Sequence, residues 1–133
     1  MVEPSLVKEW IDKAEEDFRF AEANLKEREE FFPQICFHFQ QAAEKYLKAF
    51  IVAFELEFKK IHDLAELLEI CEVKESSFKD IADDCEFLNE FYMETRYPVH
   101  WPIHYTLEEG KEAYSAAARI RNFLKRLLID FLK

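Results

Sequence analysis

A single glycine, Gly110, occurs among the 133 residues of this chain. Tight turns between β-strands and the phosphate loops of Rossmann and P-loop folds depend on glycine, which adopts backbone angles that other residues avoid. The scarcity of glycine therefore excludes those nucleotide-binding folds and argues against an all-β chain. Half of the residues are apolar, which is enough for one hydrophobic core at this length. We predict a single helical domain over residues 1–133.

Apolar residues recur at spacings of three and four along most of the chain, which is typical of helices that bury one face. This pattern predicts a first helix from Ser5 to Glu29 and a second from Pro33 to Glu57. The apolar stripe of the second helix covers more than half of its circumference. The second helix is therefore expected at the centre of the fold.

Three capping signals predict the remaining helices. They begin at Asp63, Ser77 and Thr106, each followed three residues later by an acidic residue. The last helix is expected to continue to the C-terminus, with Gly110 as its weak point. The five segments predict an all-α fold, an up-and-down bundle of four to five helices. Seven apolar residues are expected in the shared core: Trp10, Phe39, Leu47, Ile51, Leu88, Ile120 and Leu124.

The chain is acidic, with 28 Asp and Glu against 18 Lys and Arg and a net charge of −10. Such a charge repels polyanions, so nonspecific binding of nucleic acid is unfavourable. The last 23 residues differ, because six basic side chains there stand against two acidic ones. Basic residues near a helix C-terminus favour the helix dipole and solubilise the outer face. The alternative interpretation is a local contact with nucleic acid.

Three cysteines, Cys36, Cys71 and Cys85, lie far apart within apolar helical segments. An odd number at such spacings fits neither a disulfide framework nor a paired metal motif, so reduced core thiols are expected. The first dozen residues lack the apolar stretch of a signal peptide, and no apolar run reaches the length of a membrane span. These features predict a cytoplasmic protein that does not bind membranes. The low content of Asn and Gln weakly favours a heat-adapted source.

The only long irregular stretch is predicted from Met93 to Tyr105, where Pro98 and Pro102 interrupt a helix. Loops held by a rigid scaffold commonly carry function. This stretch contains three side chains suited to phosphate chemistry: Arg96, His100 and His104. The two histidines could bind a metal together only on a continuous helix, which Pro102 prevents, so neither a metal nor another cofactor is expected.

Three segments together resemble the HEPN domains of prokaryotes, small helical bundles often encoded beside a minimal nucleotidyltransferase. They are FQQAAEKYLKA at residues 39–49, the triplet His62-Asp63-Leu64, and the triplet Arg96-Tyr97-Pro98. The resemblance implies a bundle of four to five helices and a dimer packed through long helices. It also implies a role between nucleotide binding and RNA cleavage in toxin–antitoxin systems, with a nucleotidyltransferase as partner.

Catalytic members of this family cut RNA without a metal, using an Arg followed by four to six residues and then a His. Here three residues separate Arg96 from His100 and seven separate it from His104, so neither histidine has the family spacing. In an active enzyme, Arg96 would hold the scissile phosphate and His104 or His100 would transfer protons. The plainer interpretation makes both histidines ordinary loop residues.

Polar residues of the second helix form one stripe that includes Glu44, Lys45 and Lys48. A solvated surface would have the same pattern. The resemblance implies instead that the stripe and Arg96 face one groove, where Lys45, Lys48 and Arg96 bind a phosphate and Glu44 orients Arg96. His62, directly before a helix cap, is expected to have a structural role.

Three functional hypotheses follow. The preferred one is a homodimer that binds a nucleotide or an RNA phosphate at Arg96 and is the partner of a nucleotidyltransferase. The dimer is expected because the second and last helices carry more apolar side chains than one bundle face can hide. The second hypothesis is a metal-independent endoribonuclease. The third is a protein-interaction scaffold without a small-molecule site.

Overall fold

Five α-helices and two short 3-10 helices make up the regular structure of the described residues. The structure, a computed structural model, describes residues 2–27, 30–96 and 105–133, with the backbone alone for residues 93–96. The helices are α1 (Pro4–Glu27), α2 (Phe32–Ala53), α3 (Leu64–Lys74), α4 (Ala82–Arg96) and α5 (Leu107–Leu127), and the 3-10 helices span Ser76–Ile81 and Ile129–Phe131. Within the described ranges there is no strand, and the prediction of an all-α helical bundle is confirmed.

Helix α2 is the centre of the bundle, as predicted. It packs against α1, α3, α4 and α5, and 14 of its 22 residues are buried. Six of the seven predicted core residues are also buried. The exception is Trp10, which is only partly buried because its indole lies at the edge of the core against Phe58, with ring centroids 5.7 Å apart.

Helix α2 ends four residues before the predicted Glu57. Glu55 adopts the left-handed conformation with φ 52°, the Leu56 N–H donates to the Ile51 carbonyl, and the Glu55 N–H donates to the Val52 carbonyl. These two bonds form a Schellman motif, which normally places glycine at the left-handed position. The apolar spacing continues past this turn, so the sequence pattern predicted helix for residues 54–57, which instead begin an irregular connection over residues 54–63.

The start of the fourth helical segment was predicted wrongly. Glu75, not Ser77, caps the segment: its carboxylate accepts hydrogen bonds from the backbone N–H of Ser77 at 3.3 Å and from the Ser77 hydroxyl at 2.8 Å. A 3-10 helix follows, and α4 begins only at Ala82. The other two predicted caps are present, with Asp63 accepting from two backbone N–H groups of α3 and Thr106 forming a reciprocal capping box with Glu109.

The ends of α4 and α5 also differ from prediction. Helix α4 continues to Arg96, so the irregular stretch does not begin at Met93. Helix α5 ends at Leu127 rather than at the C-terminus, and the 3-10 helix after it packs Phe131 against Phe54.

Gly110 permits a close approach between α5 and α1. It is buried, and a Cβ atom at this position would lie 2.8 Å from Leu25 Cδ1. The only glycine of the sequence is therefore explained by packing, not by a turn.

The three cysteines are free and buried, as predicted. Burial raises the pKa of each thiol to about 12, so all three are protonated at neutral pH. Across the described residues, none of the helices has the length and apolar character that a membrane crossing requires.

Candidate functional site

Two of the sequence segments singled out above meet in the structure. From α2, Gln40 Nε2 donates to the His62 backbone carbonyl at 3.2 Å. His62 Nδ1 lies 3.0 Å from Glu44 Oε1 and 3.1 Å from Glu44 Oε2. The chain just before α3 is therefore fixed to α2 through both the backbone and the side chain of His62.

Glu44 is a buried carboxylate with several donors around it. Lys48 Nζ donates to Oε2 at 2.8 Å, and Gln41 Nε2 donates to Oε1 at 3.3 Å. The Lys48 side chain is only 7% exposed, and its ammonium lies 6.0 Å from the centre of the Trp10 ring. Burying two charges is costly, and hydrogen bonds to a paired partner offset that cost. Glu44, Lys48 and His62, which we call the Glu44 cluster, thus form a satisfied polar group inside the bundle.

The His62 ring has a buried end and an open end. A carboxylate only accepts hydrogen bonds, so the contact with Glu44 places the hydrogen on Nδ1 and leaves Nε2 as the acceptor nitrogen of the neutral ring. The Glu44 side chain is 4% exposed whereas the His62 side chain is 46% exposed. The ring also stacks on Tyr92 of α4, with centroids 4.6 Å apart and an angle of 19° between planes. Two independent contacts therefore hold the imidazole in one orientation.

His62 lines a cleft of about 370 Å³ between the start of α3 and α4. Its lining residues are Ile61, His62, Asp63, Glu66, Asn89 and Tyr92. Asn89 holds the two walls together, since its Nδ2 donates to Asp63 Oδ1 at 3.0 Å and its Oδ1 accepts from the Leu64 N–H at 2.8 Å. Asp63 also accepts from the Ala65 N–H at 2.8 Å. The first amides of α3 are therefore already used within the chain.

The predicted phosphate groove is divided in the structure. Glu44 and Lys48 pair with each other and are buried, so the interpretation of both as a solvated surface is wrong. Lys45 belongs to a different cluster, because its ammonium donates to Asp17 of α1, which also lies 3.0 Å from His38 Nδ1. His100, His104 and the side chain of Arg96 lie outside the described residues.

Asp17 and Glu15 show how the charges of α1 are satisfied. Burial raises the pKa of Asp17, but hydrogen bonds from His38 and Lys45 outweigh it and lower that pKa below its ordinary value. Burial likewise raises the pKa of Glu15, but hydrogen bonds from Arg121 and Tyr46 outweigh it, so the pKa of Glu15 is also lowered. Both carboxylates are therefore ionised at neutral pH and hold helices together.

Sequence reasoning missed a second buried polar group that joins α1, α2 and α5. Its members, which we call the Glu15 cluster, are Glu15, Tyr46, Arg121 and Lys125. Glu15 accepts from Tyr46 Oη of α2 at 2.8 Å and from Arg121 Nε of α5 at 2.8 Å, and Lys125 Nζ lies 3.4 Å away. Arg119 of α5 pairs with Asp84 of α4 at 2.7 Å. Three basic residues of the last helix are thus in ion pairs, which weakens the alternative of a nucleic-acid contact at this end. Local sequence patterns do not predict contacts between residues so far apart in the chain.

Within the part of the chain that the structure describes, His, Cys, Asp and Glu side chains do not converge in a group of three that could hold a metal ion.

The arrangement of four helices around α2 defines a class of small helical bundles, and the comparisons with known proteins name it. The HEPN domain family matches residues 7–127, so the chain belongs to that family. It is similar to the solved structure of TT1696 from Thermus thermophilus, with 27% identity, coverage of 90% of this chain and 96% of that one, and a TM-score of 0.79. It is also similar to ST0689, an archaeal HEPN homologue, with 28% identity, coverage of 92% and 97%, and a TM-score of 0.74. No curated protein matches it.

Proposed function

We propose that this HEPN domain binds a nucleotide or an RNA beside the cleft between α3 and α4, with the phosphate contacted by Arg96, and acts as the partner of a minimal nucleotidyltransferase. The observation that carries the proposal is the Glu44 cluster, in which a buried ion pair holds the imidazole of His62 in a fixed position at the wall of the cleft. An ion pair with a purely structural role would not need a partner that lines a cleft. A volume of about 370 Å³ falls within the range of small-molecule sites.

The position of Arg96 supports a phosphate contact beside this cleft. Arg96 is the last residue of α4 and follows Tyr92, a cleft residue, by one helical turn. Arginine binds phosphate with two parallel hydrogen bonds, which lysine cannot do.

Calorimetry with ATP and with a short RNA tests the site. We expect the wild type to bind at least one of these ligands and Arg96→Ala to bind it at least about tenfold more weakly, through loss of a charge-assisted contact. Arg19→Ala is the matched control, because Arg19 is an exposed arginine of α1, with a side chain 77% exposed. No binding by the wild type would remove the site, and unchanged binding by Arg96→Ala would place it elsewhere.

The proposed homodimer now has a different basis from the sequence argument. Helix α2 buries most of its apolar side chains within one copy, so it exposes less apolar surface than the sequence argument expects. Large apolar side chains are exposed elsewhere: Leu6, Phe20, Phe31, Phe54, Phe58, Val73 and Ile129. Exposed apolar groups of this size favour an interface. Light scattering that finds a 16.0 kDa particle at micromolar concentration would contradict the dimer.

The adjacent gene tests the partner role. A minimal nucleotidyltransferase encoded there should copurify with this chain at a fixed ratio after coexpression. Separate elution of the two proteins would contradict the partnership while leaving the nucleotide site untouched.

A further inference from the structure

We infer that the cleft between α3 and α4 receives the sugar of a bound ribonucleotide, with His62 Nε2 accepting a hydrogen bond from a ribose hydroxyl. This inference rests on the proposed function and specifies which part of the ligand lies in the cleft. Its basis is the hydrogen-bonding character of the cleft wall.

The described wall of the cleft offers acceptors and uses its own donors. Both hydrogen bonds of the His62 ring within residues 2–27, 30–96 and 105–133 go through Nδ1, so Nε2 is left facing away from Glu44. Asp63 and Glu66 add carboxylates to the lining. Three donor groups at this wall are already engaged, since Asn89 Nδ2 and the Ala65 N–H bind Asp63 and the Leu64 N–H binds Asn89. Such a wall suits hydroxyl groups of a ligand.

The same wall is unfavourable for the phosphate itself. Asp63 and Glu66 carry negative charges, and like charges at close range repel. The N-terminus of α3, which could otherwise bind an anion, has its first amides occupied by Asn89 and Asp63. A nucleotide in this cleft therefore has its uncharged sugar against His62 and its phosphate directed elsewhere.

The length of α4 agrees with this division. Arg96 follows Tyr92 by four residues, which is about 6 Å along a helix axis. That spacing is of the order of the distance between a ribose and its own phosphate. A sugar beside His62 and Tyr92 would then place the phosphate near the end of α4.

His62 is also held rigidly enough to discriminate between ligands. Gln40 fixes its backbone, Glu44 fixes its Nδ1, and Tyr92 covers a ring face. A fixed acceptor forms a hydrogen bond with a correctly placed hydroxyl and forms none with a ligand that lacks this group. The 2′-hydroxyl is the group that distinguishes RNA from DNA, so a contact of His62 with it would make the cleft prefer ribonucleotides.

The test compares the binding of ATP, 2′-deoxy-ATP and 3′-deoxy-ATP by calorimetry. We expect the wild type to bind at least one deoxy analogue about tenfold more weakly than ATP, a typical effect of one lost hydrogen bond to a fixed acceptor. His62→Phe should bind all three with equal affinity, because phenylalanine can still stack on Tyr92 but has no acceptor. Its thermal melting curve, compared with that of the wild type, shows whether the fold is kept.

His38→Phe is the matched control. His38 also lies 3.0 Å from a carboxylate, that of Asp17, yet it does not line the cleft. This variant should keep the preference for ATP. Equal binding of ATP and both deoxy analogues by the wild type would overturn the inference and leave the proposed function standing, as would a preference that survives in His62→Phe. Failure of the wild type to bind either ATP or the short RNA would instead overturn the proposed function itself.

Discussion

Glu15 and Glu44 are both buried glutamates, and the difference between their surroundings separates a structural cluster from a candidate site. Glu15 of α1 is bound by Tyr46 of α2 and by Arg121 and Lys125 of α5. The cluster joins three helices and lines none of the clefts described above. Glu44 has one cation, Lys48, from its own helix and one imidazole from the chain before α3. The Glu15 cluster therefore joins helices, whereas the Glu44 cluster positions a side chain.

The two clusters also differ in where their charge is neutralised. Arg121 is 30% exposed, so water shares in solvating the Glu15 pair. Lys48 and Glu44 are both nearly inaccessible to water, so each depends on the other. Removing one member of a fully buried pair leaves an uncompensated charge, and this costs more than removing a partly hydrated partner. The comparison predicts a larger loss of stability at Glu44 than at Glu15, and an effect on binding only at Glu44.

Glu44→Ala should have the largest effect. It leaves the Lys48 ammonium buried without a partner, so we expect the free energy of unfolding to fall by about 3–5 kcal/mol. It also releases the His62 ring, so any preference for ATP over its deoxy analogues should fall with it. Urea unfolding measures the first effect and calorimetry the second.

The double variant Glu44→Leu with Lys48→Met is the control for Glu44→Ala. It removes both charges at similar volume and should recover most of the lost stability, because no buried charge is left. It should not recover the preference for ATP, since His62 still lacks its carboxylate. If the free energy of unfolding of Glu44→Ala lay within about 1 kcal/mol of the wild-type value, the Glu44–Lys48 pair would not be buried as described.

Glu15→Ala should have a smaller effect on stability and none on binding. It removes the partner of Arg121 and of the Tyr46 hydroxyl, and partial hydration of Arg121 limits the expected loss to about 2–3 kcal/mol. Glu22→Ala, an acidic residue of the same helix with a weak contact to Lys26 at 3.8 Å, should change stability by less than about 0.5 kcal/mol. Altered nucleotide binding in Glu15→Ala would break the distinction between the two clusters.

The helical fold was predictable because its causes are local. Three-and-four spacing located five helices and placed α2 at the centre, and the caps at Asp63 and Thr106 were predicted from each residue and the glutamate three positions later. The predicted helix ends were wrong where a turn or a cap that the apolar spacing does not show ends or begins the helix. Glu55 turns the chain in the left-handed conformation inside a continuing apolar pattern, and Glu75 takes the capping role assigned to Ser77.

The candidate site was less predictable because its contacts are not local. The family resemblance singled out Glu44, Lys48 and the triplet that contains His62, and family membership is confirmed. The sequence did not show that His62 binds Glu44, because the two residues are 18 positions apart and the chain between them leaves the helix earlier than predicted. Lys45 was placed in the same groove as Lys48, but α1 supplies it with Asp17 instead.

The pH dependence of stability gives the finest test of the Glu15 cluster. The folded-state pKa of Glu15 is lowered, because hydrogen bonds from Arg121 and Tyr46 outweigh the effect of burial. The unfolded chain therefore binds a proton at Glu15 more readily than the folded chain. The free energy of unfolding therefore contains a contribution that is complete above the unfolded pKa and is lost as the pH falls through the folded pKa. Glu15→Gln removes this titration, so its stability should fall less steeply than that of the wild type as the pH decreases below the ordinary glutamate range. Urea unfolding from pH 6 to about pH 3 measures both curves, and parallel curves would mean that Glu15 does not titrate differently in the folded chain.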